Sequence, residues 1–168
     1  MSTKGKIHIY TGDGKGKTTA GLGLAIRAIG NDLKVGIIFF DKGGDYYNEH
    51  KILDKLKGNN LDFKYFGEAR MQDGKGFRFE NKPEDFQAAQ AALDQVMIWM
   101  KEDFDLLILD EINTTVKTKL LKLEDLIYLV KNKPADLELV MTGRYCPPEI
   151  IDLADLVTEM KLIKHYIS

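Results

Sequence analysis

The stretch that decides the fold is Thr11-Gly-Asp-Gly-Lys-Gly-Lys-Thr-Thr19. It follows a short apolar segment, Ile7–Tyr10, and precedes an Ala-, Gly- and Leu-rich segment over residues 17–29. The first segment predicts a β-strand, and the second predicts a helix. A glycine-rich turn between a strand and a helix N-terminus points backbone N–H groups at an anion, and the helix end adds partial positive charge. The stretch therefore predicts a phosphate-binding loop.

The residues of this loop have separate expected roles. Gly16-Lys17-Thr18 fits the end of the P-loop template GxxxxGK[ST], whereas Thr11 stands at the position of its first glycine. Lys17 brings a full positive charge to the phosphates, and the hydroxyl of Thr18 is placed to bind Mg²⁺. The predicted ATP-binding residues are Gly12, Asp13, Gly14, Lys15, Gly16, Lys17, Thr18 and Thr19.

Apolar runs and amphipathic segments alternate along the rest of the chain. The predicted strands are Ile7–Tyr10, Val35–Phe40, Asp62–Phe66, Leu106–Asp110, Leu137–Thr142 and Leu156–Met160. The predicted helices cover residues 17–29, 82–102, 123–132 and 148–154, the second of them capped by Asn81 with Glu84. Such alternation predicts a parallel sheet with helices on both faces. We expect one α/β domain over residues 1–168, a P-loop fold with a mostly parallel sheet of about six strands.

An acidic pair follows the fourth predicted strand. Leu106-Leu-Ile-Leu-Asp110-Glu111 is an apolar run that ends in two carboxylates. Because the carboxyl ends of parallel strands meet at one edge of a sheet, these carboxylates are expected beside the phosphate loop. Mg²⁺ prefers hard oxygen ligands, so the predicted metal ligands are Thr18, Asp110 and Glu111.

The stretch from Gly67 to Lys82 departs from the alternating pattern, because it is long, polar and contains Gly74 and Gly76. A loop of this length inside a compact domain is often a lid over a site. We predict a mobile loop over residues 67–82.

Composition excludes several classes of protein. The 168 residues carry 24 basic and 26 acidic side chains, a balance that disfavours a broad nucleic-acid-binding surface. No apolar run approaches the roughly 20 residues that cross a bilayer, and no signal segment precedes the first strand, so a cytoplasmic protein without membrane contact is expected. Cys146, the single cysteine, excludes an internal disulfide and a Cys-rich zinc site.

Further segments continue the pattern of the phosphate loop in order along the chain. They are Gly21-Leu-Gly-Leu-Ala-Ile-Arg-Ala-Ile-Gly30, Leu109-Asp-Glu-Ile-Asn113, Met141-Thr-Gly-Arg144 with Pro147-Pro148, and Val157-Thr-Glu-Met160 followed by Lys164-His165. With the loop, they resemble the P-loop ATP:corrinoid adenosyltransferases, the cob(I)alamin adenosyltransferase family, over nearly the whole chain.

The resemblance implies an activity. Members of this family transfer the 5′-deoxyadenosyl group of ATP to the Co(I) of a reduced corrinoid and release triphosphate. It therefore implies ATP and a reduced corrinoid as substrates, Mg²⁺, an electron-donating reductant such as a flavoprotein, and a homodimer. It also implies that Lys17, Lys15 and Arg144 serve catalysis, although a surface salt bridge is the alternative for Arg144.

The aromatic residues of Gly76-Phe77-Arg78-Phe79-Glu80 resemble the pair that lies against the lower face of the corrin in this family. Phe77 and Phe79 are therefore the predicted corrinoid-binding residues, with Phe79 at a position where the family usually has Trp. The alternative is that both rings only anchor the loop in the core. Two other functions also stay open: a different P-loop kinase or ATPase, and a non-catalytic protein that binds nucleotide or corrinoid.

Overall fold

The computed structural model describes residues 4–44, 47–58, 60–72 and 76–166. The strands are β1 (Ile7–Thr11), β2 (Val35–Phe39), β3 (Leu61–Tyr65), β4 (Met71–Gln72), β5 (Gly76–Phe77), β6 (Leu106–Asp110), β7 (Glu138–Thr142) and β8 (Leu156–Glu159). The helices are α1 (Lys17–Ile29), α2 (Glu49–Leu56), α3 (Pro83–Trp99), α4 (Ile112–Lys117), α5 (Leu123–Lys131) and α6 (Pro148–Ile151).

Six parallel strands form the main sheet, in the order β3-β2-β6-β7-β1-β8. All six predicted strands are confirmed, with boundaries that differ by no more than one residue at either end. The α/β P-loop class with a parallel sheet is confirmed as well. Strand β7 lies between β1 and β6, and all three strands are parallel. The loop after β1 and the acidic end of β6 therefore lie at the same edge of the sheet.

Helices cover both faces of this sheet, as the packing of two neighbouring residues of β2 shows. Ile38, which points to one face, packs in a core with α3, α5 and α6, whereas Ile37 packs on the other face with α1 and α2. Every residue of β2 and β6 is buried, as expected for strands that are covered on both sides.

The sequence patterns missed two helices, α2 and α4, and an antiparallel ribbon in which β4 pairs with β5. Helix α4 has six residues, too few to show a helical stripe, and α2 buries only His50 and Leu53. The segment 67–82 was predicted as a loop without regular structure; it contains this ribbon, while residues 73–75 lie outside the described residues.

The predicted cap of the third helix is wrong by one residue. Lys82 is the N-cap of α3, and its backbone N–H donates to a carboxylate oxygen of Asp85 at 2.7 Å. Asn81 instead donates from its side-chain amide to the carbonyl oxygen of Thr118 at 2.7 Å. The contact of Asn81 with Thr118 takes its side chain away from the helix end, and Asp85 rather than Glu84 accepts the N–H of the N-cap residue. Among the described residues, no helix is long and apolar enough to cross a membrane.

Candidate active site

The phosphate loop joins β1 to α1 as its sequence predicts. Gly16 caps α1 with φ of 115°, a left-handed conformation that strains any residue with a side chain, so glycine is required there. Thr11, at the position of the template's first glycine, is still the last residue of β1. Its hydroxyl accepts the N–H of Cys146 at 3.3 Å, and its carbonyl oxygen accepts the N–H of Met160 at 2.8 Å. These bonds explain why a threonine fits at this position.

Lys17 lies over the loop rather than in solvent. Its ammonium group donates to the carbonyl oxygens of Gly12 at 2.8 Å and Gly14 at 2.6 Å, and the residue is 7% exposed. Burial lowers the pKa of Lys17, and the nearby carboxylate of Glu111 partly offsets that effect. The loop therefore holds a cation in the place where a phosphate-binding lysine is needed.

A cavity of about 200 Å³ opens in front of this loop. Its lining residues are Gly14, Lys15, Gly16, Lys17, Thr18, Thr19, Glu111 and Arg144. Gly12 and Asp13, which the sequence also assigned to ATP, do not line it. Lys15 does line it, but its ammonium group donates to the hydroxyl of Tyr166 and lies 4.6 Å from the centre of that ring.

Asp110 is the centre of a buried hydrogen-bond network behind the loop. Its Oδ1 atom accepts the hydroxyl of Thr142 at 2.6 Å. Its Oδ2 atom accepts the hydroxyl of Thr18 at 3.2 Å and the ammonium group of Lys42 at 2.5 Å. The end of β6 thus contacts the loop through Thr18, and both carboxylate oxygens already accept hydrogen bonds.

Lys42 is a site residue that the sequence patterns did not single out. It is 8% exposed, and its ammonium group also donates to the hydroxyl of Thr18 at 3.0 Å. Burial lowers the pKa of Lys42, but the neighbouring carboxylates of Asp110, Glu111 and Glu49 together outweigh that effect and raise it. The signal was present, since Lys42 follows the carboxyl end of a buried strand just as Asp110 ends another one.

Glu111 takes a left-handed backbone conformation, with φ of 64°, at the N-cap of α4. Its backbone N–H donates to the hydroxyl of Thr142 at 3.0 Å, and its Oε2 atom accepts the hydroxyl of Thr114 at 2.7 Å. These contacts hold the side chain at the cavity in front of the phosphate loop. Within the described ranges, no three or more His, Cys, Asp or Glu side chains form a cluster that could hold a metal ion by themselves.

A second cavity, of about 610 Å³, adjoins the first. Phe77 and Phe79 line it; they are 45% and 84% exposed, and their rings meet edge to face with centres 5.0 Å apart. Glu111 and Arg144 line both cavities. The two aromatic side chains are therefore not buried in the core, and they face a space that continues to the phosphate loop.

Arg144 follows β7 through Gly143 at the same sheet edge. Its backbone N–H donates to the hydroxyl of Thr114 at 3.1 Å, while the residue itself is exposed. Its guanidinium group makes no ion pair with any described residue, so the surface salt bridge considered for it is not observed. Arg144 is placed to meet an anion in either cavity.

A buried set of ion pairs underlies the β4–β5 ribbon. Arg78 donates both guanidinium NH₂ groups to Asp85, at 2.6 and 2.9 Å, and Asp85 has no exposed side-chain surface. Arg70, 5% exposed, donates through Nε to Asp41 at 2.7 Å. Sequence reasoning missed this set, because Asp41 lies 29 residues from Arg70, and Asp85, although seven residues from Arg78, belongs to helix α3.

The pair formed by Arg78 and Asp85 gives a testable pH dependence. The guanidinium group holds the pKa of Asp85 at about 2, below its ordinary value of 3.8. Because the folded pKa is the lower one, Asp85 stabilises the fold above pH 4, by roughly 2 kcal/mol, and this contribution is lost as the pH falls through 2. Urea unfolding from pH 5 to 2.5 should therefore show the stability difference between the parent and Asp85→Asn shrinking. Asp94→Asn, an exposed change on the same helix, should show no such trend; a constant difference for Asp85→Asn would contradict the assignment.

Another cavity, about 740 Å³ and larger than these two, lies at the opposite edge of the sheet. His8 and Arg27 line it, and no residue predicted for the site does so. Size alone would therefore select the wrong place, whereas the phosphate loop, Asp110 and Arg144 share the carboxyl edge.

This fold and this loop define a P-loop protein of the α/β class. Residues 3–168 match the family described as ATP:corrinoid adenosyltransferase BtuR/CobO/CobP. A corrinoid adenosyltransferase from Sinorhizobium sp is 32% identical over 166 residues, which cover 96% of this chain and 74% of that protein. The corrinoid adenosyltransferase of Escherichia coli K12 is 31% identical over 163 residues, which cover 96% of this chain and 79% of that protein.

The chain belongs to the ATP:corrinoid adenosyltransferase family BtuR/CobO/CobP and is a transferase. Among solved structures, a KaiC-like protein from Pyrococcus horikoshii resembles it with a TM-score of 0.53. That pair shares 13% identity over 98% of this chain and 76% of the other, so this likeness concerns the fold alone.

Proposed function

We propose that this chain transfers the 5′-deoxyadenosyl group of ATP to the Co(I) centre of a reduced corrinoid and releases triphosphate. The observation that supports the proposal most strongly is the junction of two cavities. A small polar one lies at the phosphate loop, a larger one is lined by aromatic rings, and Glu111 and Arg144 belong to both. Two substrates of matching chemistry, a polyphosphate and a large flat ring system, would meet at that junction.

The phosphate loop supplies the binding site for the triphosphate in this proposal. Lys17 gives a fixed cation, the residues from Lys15 to Thr19 give backbone N–H donors, and Arg144 gives a guanidinium group that makes no ion pair with any described residue. Lys15 also lines the cavity, and we assign it a supporting role in charge neutralisation. Donors that are fixed before the reaction stabilise the charge that develops on a leaving triphosphate without having to reorganise.

Mg²⁺ fits the donor set at this site. Hard oxygen atoms suit it, and we assign Thr18 and Glu111, which both line the phosphate-loop cavity, as the residues that would hold it. We assign Asp110 an indirect role, since its oxygens already accept Thr142, Thr18 and Lys42. When bound, Mg²⁺ would neutralise part of the negative charge of the triphosphate.

Phe77 and Phe79 supply the apolar wall for the corrinoid. Their exposed rings offer the kind of surface that excludes water and polar ligands from one face of a flat macrocycle. Keeping a ligand away from the lower side of cobalt favours the reduced state, because an electron-rich metal centre binds axial donors weakly.

The reaction then needs little acid–base chemistry from the protein. Co(I) donates an electron pair to C5′ of ATP, the Co–C bond forms, and the C5′–O bond breaks. The triphosphate leaves with the electrons of that bond, and cobalt ends formally as Co(III). Because Co(I) is itself a strong nucleophile, the side chains have to position the two substrates and stabilise the leaving charge.

An absorbance assay of Co–C bond formation tests this function. Parent protein, ATP, Mg²⁺ and chemically reduced cob(I)alamin, mixed without oxygen, are expected to give the spectrum of an alkylated corrinoid. Phe77→Ala should lower the rate at least about tenfold, because the substrate loses its wall and its alignment. Phe86→Ala, which removes a similarly exposed ring outside the cavity, is the matched control and should leave the rate unchanged. Nucleotide hydrolysis without corrinoid turnover would support a different P-loop ATPase instead, and corrinoid binding without alkylation would support a non-catalytic binding protein.

Three further features complete the proposal. Production of Co(I) in a cell requires an electron donor, for which we propose a flavoprotein reductant. A homodimer and a cytoplasmic location are proposed on the family resemblance. Sedimentation of the purified chain would decide its subunit number, with a monomer as the outcome against the dimer.

A further inference from the structure

We propose that Arg70 and Arg78 are positioning residues that fix Phe77 and Phe79 at the wall of the larger cavity, and this rests on the function proposed above. Neither arginine belongs to the phosphate loop. Both lie in the segment that the sequence predicted as a loop, and their contacts tie that segment to rigid parts of the fold.

Arg78 lies between the two aromatic residues in sequence, but its side chain points to Asp85 and not into the larger cavity. Phe77 and Phe79 line the cavity, whereas the guanidinium group of Arg78 binds Asp85 through two parallel hydrogen bonds. In an extended segment, alternate side chains point to opposite sides, so anchoring Arg78 on one side directs both rings to the other. A bidentate pair also fixes orientation, which a single contact does not.

Arg70 binds the backbone of the same segment. Its NH1 atom lies 3.4 Å from the carbonyl oxygens of Arg78 and Glu80, and its NH2 atom donates to the side-chain oxygen of Asn81 at 3.0 Å. The backbone N–H of Arg78 returns a bond of 2.8 Å to the carbonyl oxygen of Arg70. One buried guanidinium group thus contacts the chain both between the two aromatic residues and directly after the second of them.

The carboxylates that receive these arginines belong to well-packed elements. Asp85 lies in the first turn of α3, where it also accepts the N–H of the N-cap Lys82. Asp41 follows the fully buried strand β2 and directly precedes Lys42, which contacts Asp110 in the phosphate site. The segment that carries Phe77 and Phe79 is therefore held in place by contacts with the first turn of α3 and with the residue after β2, next to the phosphate site.

Stability alone does not account for this arrangement. Removing two charges from water costs about as much as their attraction returns, so a buried ion pair is weak evidence for stability. Phe77 and Phe79 are too exposed to be fixed by packing in the core. The ion pairs supply the order that packing does not provide, and a displaced ring would lose its contact with the corrinoid.

The experiment compares Arg78→Met and Arg78→Lys with the parent and with Lys57→Met, which removes a surface ion pair to Asp62 away from both cavities. Steady-state kinetics give separate KM values for cob(I)alamin and ATP. Electron paramagnetic resonance of bound cob(II)alamin with ATP reports whether the lower axial position of cobalt is vacant.

We expect Arg78→Met to raise the KM for cob(I)alamin at least about tenfold and to lower the fraction of cob(II)alamin without a lower ligand, with the KM for ATP within about twofold of the parent. Arg78→Lys, which cannot form the bidentate pair, should give a smaller effect of the same kind. Arg70→Met should repeat the pattern of Arg78→Met.

Two results would overturn the inference. One is a lower thermal midpoint with both the corrinoid KM and the resonance signal unchanged, which means a structural role only. The other is an equal rise of both KM values, which means a general loss of the site. Arg78→Lys decides the matter if Arg78→Met does not fold. A parent that forms no Co–C bond would instead reject the proposed function, and this inference with it.

Discussion

Replacing Lys17 by methionine is expected to lower the rate of corrinoid adenosylation at least about a hundredfold, because a fixed cation at the leaving triphosphate is lost. The methionine side chain is nearly as long as that of lysine, so the packing of its apolar part in the loop is kept. The bonds that disappear are those to the carbonyl oxygens of Gly12 and Gly14, for which water can substitute as the donor. The free energy of unfolding should therefore change by no more than about 1 kcal/mol.

Lys15→Met is the matched control for that experiment. Lys15 is exposed and its ammonium group contacts Tyr166 rather than the carbonyl oxygens of the loop. Its removal should cost at most about tenfold in rate, because an exposed charge is screened by water. The measurement is the initial rate of Co–C bond formation at saturating ATP. Equal losses for the two variants would contradict the assignment of Lys17 as the principal phosphate-binding cation.

The second large effect is expected for stability. Asp110→Asn leaves the buried ammonium group of Lys42 with Glu49, 3.9 Å away, as the remaining ion pair that the structure gives it. Removing one partner of a buried ion pair costs about 3–5 kcal/mol, because the other charge stays desolvated. Urea unfolding of Asp110→Asn should show a loss of this size. Asp62→Asn, at the exposed pair with Lys57, should cost less than about 1 kcal/mol.

The double variant Lys42→Met with Asp110→Asn isolates the cause. If the loss comes from an uncompensated charge, removing Lys42 as well should recover about 2 kcal/mol or more, seen as a coupling energy in the double-mutant cycle. Additive losses would mean that Lys42 and Asp110 act independently, and would contradict the network described for the end of β6.

The main sheet was predictable because each of its central strands carries its own signal. Val35–Phe39 and Leu106–Asp110 are continuous apolar runs, the pattern of strands covered on both faces. The phosphate loop was predictable for a different reason. Its glycines, Lys17 and the following helix are adjacent in sequence, so the pattern and the site coincide.

The other half of the candidate site was less accessible to sequence reasoning, because its parts meet only through tertiary contacts. Lys42 reaches Asp110 across the sheet from the end of β2, and Arg70 reaches Asp41 across 29 residues of chain. The ends of two buried strands mark Lys42 and Asp110 separately, but no local pattern shows that the members of either pair meet. The ribbon of β4 and β5 is similarly short, with two residues in each strand, so it shows no alternation that could be recognised.

The family resemblance and the residue patterns predict different parts of the site. The residues predict a bound phosphate and an oxygen-rich metal site. The resemblance adds the corrinoid, and the structure brings Phe77 and Phe79 to a cavity that continues to the loop. Their rings are exposed there, so the alternative that they anchor the loop in the core is wrong. Their contact with corrinoid stays a prediction.

Phosphorus nuclear magnetic resonance of the reaction products is the most direct test of the central claim. Parent protein would be incubated without oxygen with ATP, Mg²⁺ and cob(I)alamin, and the phosphorus products counted against the Co–C bonds formed. One inorganic triphosphate is expected for each alkylated corrinoid, with no ADP or AMP, because the C5′–O bond breaks and the phosphate chain stays whole. The appearance of ADP or AMP in place of triphosphate would contradict that claim.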